Sequence, residues 1–273
     1  MQRELREPKT IIERHDLNGR WYAPLGSKDP GLLRPSVTTI ENVWDKGIGF
    51  EKWLVMNGYE AYKLRDSAAR IGTLVHSLID SLINGEVVET SYDFFDEDGD
   101  QIKADYKIQK RLMGFLKFWE EINPLPIASE ISLYNEDMGF AGTTDLVAEI
   151  DGKLWLIDYK TGNQYPTHAI QLTAYKMLWE SLYPEKIDYI ACLYLSDKWK
   201  KKSYTLKKYK FCPEMVRATY EGWQFFTNGK PSVKSELPTK YQIGENNHTS
   251  NKVQPKRKGN MQTKVQQTEG VSV

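Results

Sequence analysis

The chain has 273 residues, 37 Lys+Arg against 37 Asp+Glu for a formal net charge of zero, and 40% apolar residues. Length and apolar share suffice for a buried core in one large domain or two small ones, and they exclude fully disordered, collagenous and disulfide-stapled chains. No run nears the roughly 18 apolar residues of a membrane span, residues 1–7 lack an apolar signal stretch, and the cysteines are Cys192 and Cys212. The expectation is a soluble protein of the reducing cytoplasm, with too few thiolates for a four-cysteine zinc or iron–sulfur site.

Over residues 66–85, Leu74, Val75, Leu78, Ile79, Leu82 and Ile83 recur at helical spacing. They predict a buried helix with Asp66 or Ser67 as N-cap and Gly85 as stop. His76 and Asp80 share a flank of its apolar stripe, where a helix aims a ligand into a cleft beside the core. In the acidic stretch 92–100, Asp96, Asp98 and Asp100 imitate a calcium loop, but Gln101 stands where that loop needs glycine and Lys107 where it needs glutamate. A second helix runs through Leu112, Phe115, Leu116 and Trp119 and ends before Pro124. From Glu130 the period changes to strands at 131–134, 140–150 and 153–160, with Asp151-Gly152 as a two-residue hairpin turn. A helix over about 167–182, stopped by Pro184, and a strand at 189–195 follow. The order describes an α/β sandwich, a central mixed sheet with an antiparallel meander flanked by helices.

The hairpin turn fixes a register. With Ile150 facing Lys153, Asp145 falls opposite Asp158 on one face, Cβ atoms ~5 Å apart. Like charges there repel within otherwise apolar strands, and a divalent cation offsets them because hard cations take carboxylate oxygens. Alternation puts Lys160 on the Asp158 face, one step further along. An isolated Asp-x-Lys is more often a surface strand end. Here Gln171 and Tyr175, sharing a face of the next helix, add polar groups beside it.

Residues 239–273 are polar, net +4, and read as a disordered basic tail after a single domain over 1–238. Residues 198–210 hold seven lysines and no acid, leaving −11 on everything else. Lys200, Lys201 and Lys202 beside Trp199 suit the phosphates and bases of a nucleic-acid strand, against the plainer reading of a solvated hairpin tip. A zero total thus hides three unlike pieces.

Gly72-Thr-Leu-Val-His76, Gly142-Thr-Thr-Asp145, Ile157-Asp-Tyr-Lys-Thr-Gly162 and Gln171-x-x-x-Tyr175 resemble, in order and spacing, the motifs of RecB-like nucleases of the PD-(D/E)xK superfamily. Pro35-Ser-Val-Thr-Thr-Ile40 resembles the opening of small stand-alone phage and bacterial members, and the likeness covers residues 34–195. It implies a restriction-endonuclease-like core that hydrolyses DNA phosphodiesters with one or two magnesium or manganese ions. His76, Asp145, Asp158 and the Tyr159 carbonyl match the metal ligands. Lys160 matches the lysine that orients or activates the attacking water, and Gln171 and Tyr175 match the pair that supports the site and contacts the strand.

The resemblance further implies an exonuclease acting on single-stranded DNA or DNA ends, working beside replication or recombination proteins. A structure-specific endonuclease shares the same residues, and a non-catalytic DNA-binding protein retaining the fold is the rival of another class. Some relatives carry Glu where this chain has Asp80, which puts a role for Asp80 in doubt. No nucleotide-binding Gly-x-x-x-x-Gly-Lys motif marks a helicase fusion. Glu130, at the start of the meander, is weighed for a supporting role and ranked below a plain strand position.

Overall fold

The structure, a computed structural model, describes residues 4–17, 19–96, 99–103, 105–198 and 202–230. In chain order they form β1 (Ile12–Asp16), β2 (Arg20–Pro24), β3 (Arg34–Pro35), α1 (Val37–Glu41), α2 (Ile48–Asn57), α3 (Glu60–Ile83), β4 (Phe94–Phe95) and β5 (Gln101–Ile102). Then follow α4 (Tyr106–Ile122), β6 (Leu125–Tyr134), β7 (Ala141–Ile150), β8 (Lys153–Lys160), α5 (His168–Leu182), β9 (Tyr189–Leu195), β10 (Tyr204–Tyr209) and α6 (Pro213–Thr227). Trp199, Lys200, Lys201 and the expected tail lie outside the described residues. Among those described, no helix is long and apolar enough to cross a membrane.

Five strands make the expected mixed sheet in the order β10-β9-β8-β7-β6, with only β8 and β9 parallel. A parallel pair needs a crossover, and α5 supplies it. Strands β8 and β9 are covered on both faces, which is why each reads as a nearly unbroken apolar run. Alternation then sorts the side chains. Val147, Leu156 and Cys192 pack against Leu172 and Trp179 of α5, Ile40 of α1 and Trp223 of α6. Leu146, Ile157 and Leu193 pack against Val75 and Ile79 of α3 and Phe115 and Phe118 of α4. The sheet is the filling of a sandwich, and the carboxyl ends of its parallel strands are left open.

Three boundaries differ from expectation. Helix α3 starts at Glu60, with no side-chain cap, rather than at Asp66 or Ser67. Glu60 to Arg65 are good helix formers that carry the helix out past its buried stripe, where periodicity leaves no mark. Gly85 does end it, at φ 83°. Strand β6 begins at Leu125, so Glu130 lies mid-strand. Pro126 is tolerated there because β6 is the sheet's edge. Before the meander, Ser36 caps α1 by accepting the Thr39 N–H at 3.0 Å.

Candidate active site

The hairpin register is the expected one, from Ile150↔Lys153 to Leu146↔Ile157. The ladder stops one residue short of the two aspartates, and Asp145 Oδ2 instead accepts the Tyr159 N–H at 2.5 Å. On the other side of β7, the pairs Ser129↔Leu146 and Ile131↔Thr144 bracket Glu130 opposite Asp145. Three carboxylates therefore occupy one row across β6, β7 and β8. Glu130 sits at φ 44°, a left-handed backbone that costs a non-glycine residue about 1–3 kcal/mol and persists only where the surroundings hold it.

From α3, His76 Nδ1 approaches to 3.4 Å from Asp145 Oδ2 and 3.9 Å from Glu130 Oε1. One donor atom from each of His76, Glu130 and Asp145 falls within 4.8 Å of the others. Burial, then the Asp145 charge, push the Glu130 carboxyl up to about 8. Burial raises Asp158 to about 6, with Lys160 pulling the other way. Burial also works against the His76 cation, but the Asp145 carboxylate outweighs it and holds the ring at about 9. Asp145 stays below its ordinary value because His76 outweighs the cost of burying it. Glu130 Oε1 is buried without a hydrogen-bond partner. An orphaned carboxylate oxygen beside an imidazole and a second carboxylate is a donor set that fits a divalent ion.

Asp158 is held from the other side. Lys160 Nζ lies 2.6 Å from Asp158 Oδ2 and donates to Gln171 Oε1 at 2.8 Å. Gln171 Nε2 returns to Asp158 Oδ1 and reaches the Tyr175 hydroxyl, each at 3.1 Å. Burial opposes the Lys160 charge, yet Asp158 outweighs it and keeps the ammonium protonated far above neutral pH. The arrangement is a metal-fitting trio with a buried Asp-Lys pair beside it at the end of β8.

The family model of the PD-(D/E)XK nuclease superfamily matches residues 53–262. The chain belongs to that superfamily. Its nucleases use divalent metal ions, in keeping with the donor set around Glu130. No curated protein matches the chain. Among solved structures, it is similar to SSO0001 (13% identity, TM-score 0.30, 46% of this chain and 63% of that one). It is also similar to an alkaline exonuclease from Laribacter hongkongensis (9%, 0.36, 73% and 87%) and a putative exonuclease from Eubacterium rectale (11%, 0.36, 57% and 64%). The chain thus spans under two thirds of the length of SSO0001 and of the Eubacterium rectale protein. These likenesses are faint, and membership rests on the sequence match.

In this PD-(D/E)XK nuclease the motif residues converge as the sequence suggested. His76, Asp145, Asp158, Tyr159, Lys160, Gln171 and Tyr175 all line one cavity of about 590 Å³, with Glu130 and Asp80 beside them. Tyr159 joins through its N–H and through a ring edge-on to His76 at 5.5 Å. Asp80 accepts from Ser129 Oγ at 2.5 Å, next to Glu130. The tightest donor trio contains Glu130, whereas the sequence reading placed Asp158 among the metal ligands.

His168 also lines the cavity, and sequence reasoning had found no partner for it. Its Nδ1 is 2.7 Å from the Tyr194 hydroxyl, which is 2.6 Å from that of Tyr209. Burial, with Lys160 nearby, drives it down to about 3, so the ring stays neutral. The one signal was its place on the Gln171 and Tyr175 face, at helical spacing. Glu41 was missed too: burial raises its carboxyl, which bonds the Thr167 hydroxyl near Lys160.

The glycines of the motifs have a steric reason. A Cβ at Gly142 would lie 2.6 Å from the Tyr175 ring. Gly142→Ala is therefore expected to displace Tyr175 from Gln171 and to cost about 1–3 kcal/mol of stability, read as a lower midpoint in urea unfolding. An unchanged midpoint would mean that the ring yields freely.

Proposed function

We propose that this chain is a magnesium- or manganese-dependent deoxyribonuclease, acting as an exonuclease on single-stranded DNA or DNA ends. The observation that carries this reading is the buried Glu130 oxygen without a partner, set between His76 and Asp145 and beside the Asp158–Lys160 pair. A bound divalent ion would supply Lewis-acid polarisation of the phosphate and balance the three carboxylates. His76, Glu130 and Asp145 would hold it, with Asp158 and the Tyr159 carbonyl as further ligands.

The chain's own groups do the rest. Lys160 presents a fixed ammonium to the negative charge that grows on the phosphate oxygens during attack by water, where a preorganised charge is worth most. Asp158 and Gln171 position that ammonium, and Tyr175 holds Gln171. Lys202, with Trp199, Lys200 and Lys201, is assigned to strand binding. The full set His76, Asp145, Asp158 and Lys160 favours an enzyme over a DNA-binding protein that merely retains the fold.

The test is digestion of end-labelled linear and circular single-stranded DNA with magnesium or manganese. The expected result is loss of the linear strand from an end, an intact circle, and no cleavage of either in excess EDTA. A cut circle would make the enzyme an endonuclease, and cleavage persisting in EDTA would sink the metal-dependent mechanism.

A further inference from the structure

A second cavity, of about 450 Å³, lies next to the catalytic one and shares Thr161, Gly162 and Asn163 with it. It opens at the carboxyl ends of β8 and β9, the crevice where open α/β sheets bind ligands. Arg111 of α4, Lys198 after β9 and Lys202 before β10 line it, against Asp197 as the one acid. Three cations for one carboxylate is an excess that selects an anionic ligand and repels a metal ion.

Arg111 gives the cavity a built floor. The residue is only 9% exposed. One of its terminal nitrogens donates to the Thr161 carbonyl at 3.3 Å and pairs with Asp197 at 3.1 Å. Its Nε–H is buried with no acceptor. A desolvated guanidinium with an idle donor is costly unless something anionic completes it. Gly162, on the ridge shared with the catalytic cavity, has open space where a Cβ would be, so a chain can lie across it.

We propose that this cavity is a phosphate-binding subsite, in which Arg111, Lys198 and Lys202 hold a backbone phosphate of the strand away from the bond being cut. This rests on the nuclease reading above. A strand whose reacting phosphate sits at Lys160 crosses the Thr161–Asn163 ridge and places a later phosphate against Arg111. The free energy of that contact is available to long substrates and not to short ones.

The test uses the full chain, the double variant Lys198→Ala/Lys202→Ala, and Arg111→Lys, which keeps the charge but loses the guanidinium fork. Binding of a single-stranded 20-mer is measured in EDTA over a salt series, and kcat/KM is measured on the 20-mer and a 4-mer. The double variant should flatten the salt slope by about 1.4, from ~0.7 per lost phosphate contact on single strands. Its ratio of kcat/KM on the 20-mer to that on the 4-mer should fall about ten-fold, the size of a lost charge-assisted contact. Arg111→Lys should lower the same ratio by a smaller factor.

An unchanged slope and ratio would overturn the subsite, as would equal losses on both substrates, which would make Arg111 a tie for the Thr161 loop alone. Competition by inorganic phosphate with no change in the 20-mer ratio would give the cavity to free phosphate and overturn it as well. Failure of the wild-type chain to cleave either substrate would strike the nuclease reading itself.

Discussion

Lys160→Ala is expected to slow single-turnover cleavage by about 100- to 1,000-fold while leaving strand affinity nearly unchanged, the loss typical of removing one preorganised group aimed at developing charge. The size follows from where the ammonium sits. Its side chain is 21% exposed and that of Asp158 only 4%, so the pair is poorly screened. Two unit charges 4 Å apart at an effective dielectric of 20 interact by about 4 kcal/mol, and each 1.36 kcal/mol is a factor of ten in rate, so about 1,000-fold is a sensible ceiling. The same deletion leaves Asp158 buried without its cation. Burial already raises that carboxyl to about 6, and loss of Lys160 raises it further. Breaking a buried pair costs about 3–5 kcal/mol, so rates belong beside a thermal midpoint for each variant, with the divalent ion present. Near-normal turnover in a folded Lys160→Ala protein would refute the assignment.

What was legible in the sequence was what short-range rules determine. Asp151-Gly152 set the hairpin register, and period-two alternation from that turn placed Asp145, Asp158 and Lys160 together. Helical spacing placed Gln171 with Tyr175. Glu130 escaped for two physical reasons. Pro126 masks the start of an edge strand, and the left-handed backbone at Glu130 interrupts the alternation that would mark its face. The row it shares with Asp145 exists only once β6 pairs with β7, and no local pattern announces that register. His168 and Tyr194 are separated by a helix and a strand, and Arg111 meets Asp197 from 86 positions away. Such contacts are products of the sandwich, invisible to any window of sequence. The lysines of 198–210 divide in the same way: composition showed their charge, and the sheet decided that Lys198 and Lys202 share a cavity with Arg111.

Magnesium or manganese added to EDTA-treated protein is expected to raise the unfolding midpoint by about 5–10 °C, and Asp145→Asn should erase the rise. An ion that binds the folded chain alone stabilises it by about 2.7 kcal/mol at a hundred times its dissociation constant, and in a domain of ~200 residues each kcal/mol shifts the midpoint about 2–4 °C. Asp145 is the decisive position because it faces three ways, accepting the Tyr159 N–H, lying 3.4 Å from His76 and standing opposite Glu130. An asparagine fills the same volume without the charge, and its amide group must turn a donor toward either the Tyr159 N–H or His76. Asp137→Asn, at an exposed position outside the cavity, should keep the full rise. An undiminished rise in Asp145→Asn would put the ion elsewhere on the protein. Glu130→Gln and Asp158→Asn then divide the ligand set. Glu130→Gln should remove most of the rise if the His76, Glu130 and Asp145 trio holds the ion. If Asp158→Asn removes it and Glu130→Gln does not, the ion sits between the two aspartates, and the left-handed turn at Glu130 serves the sheet rather than the metal.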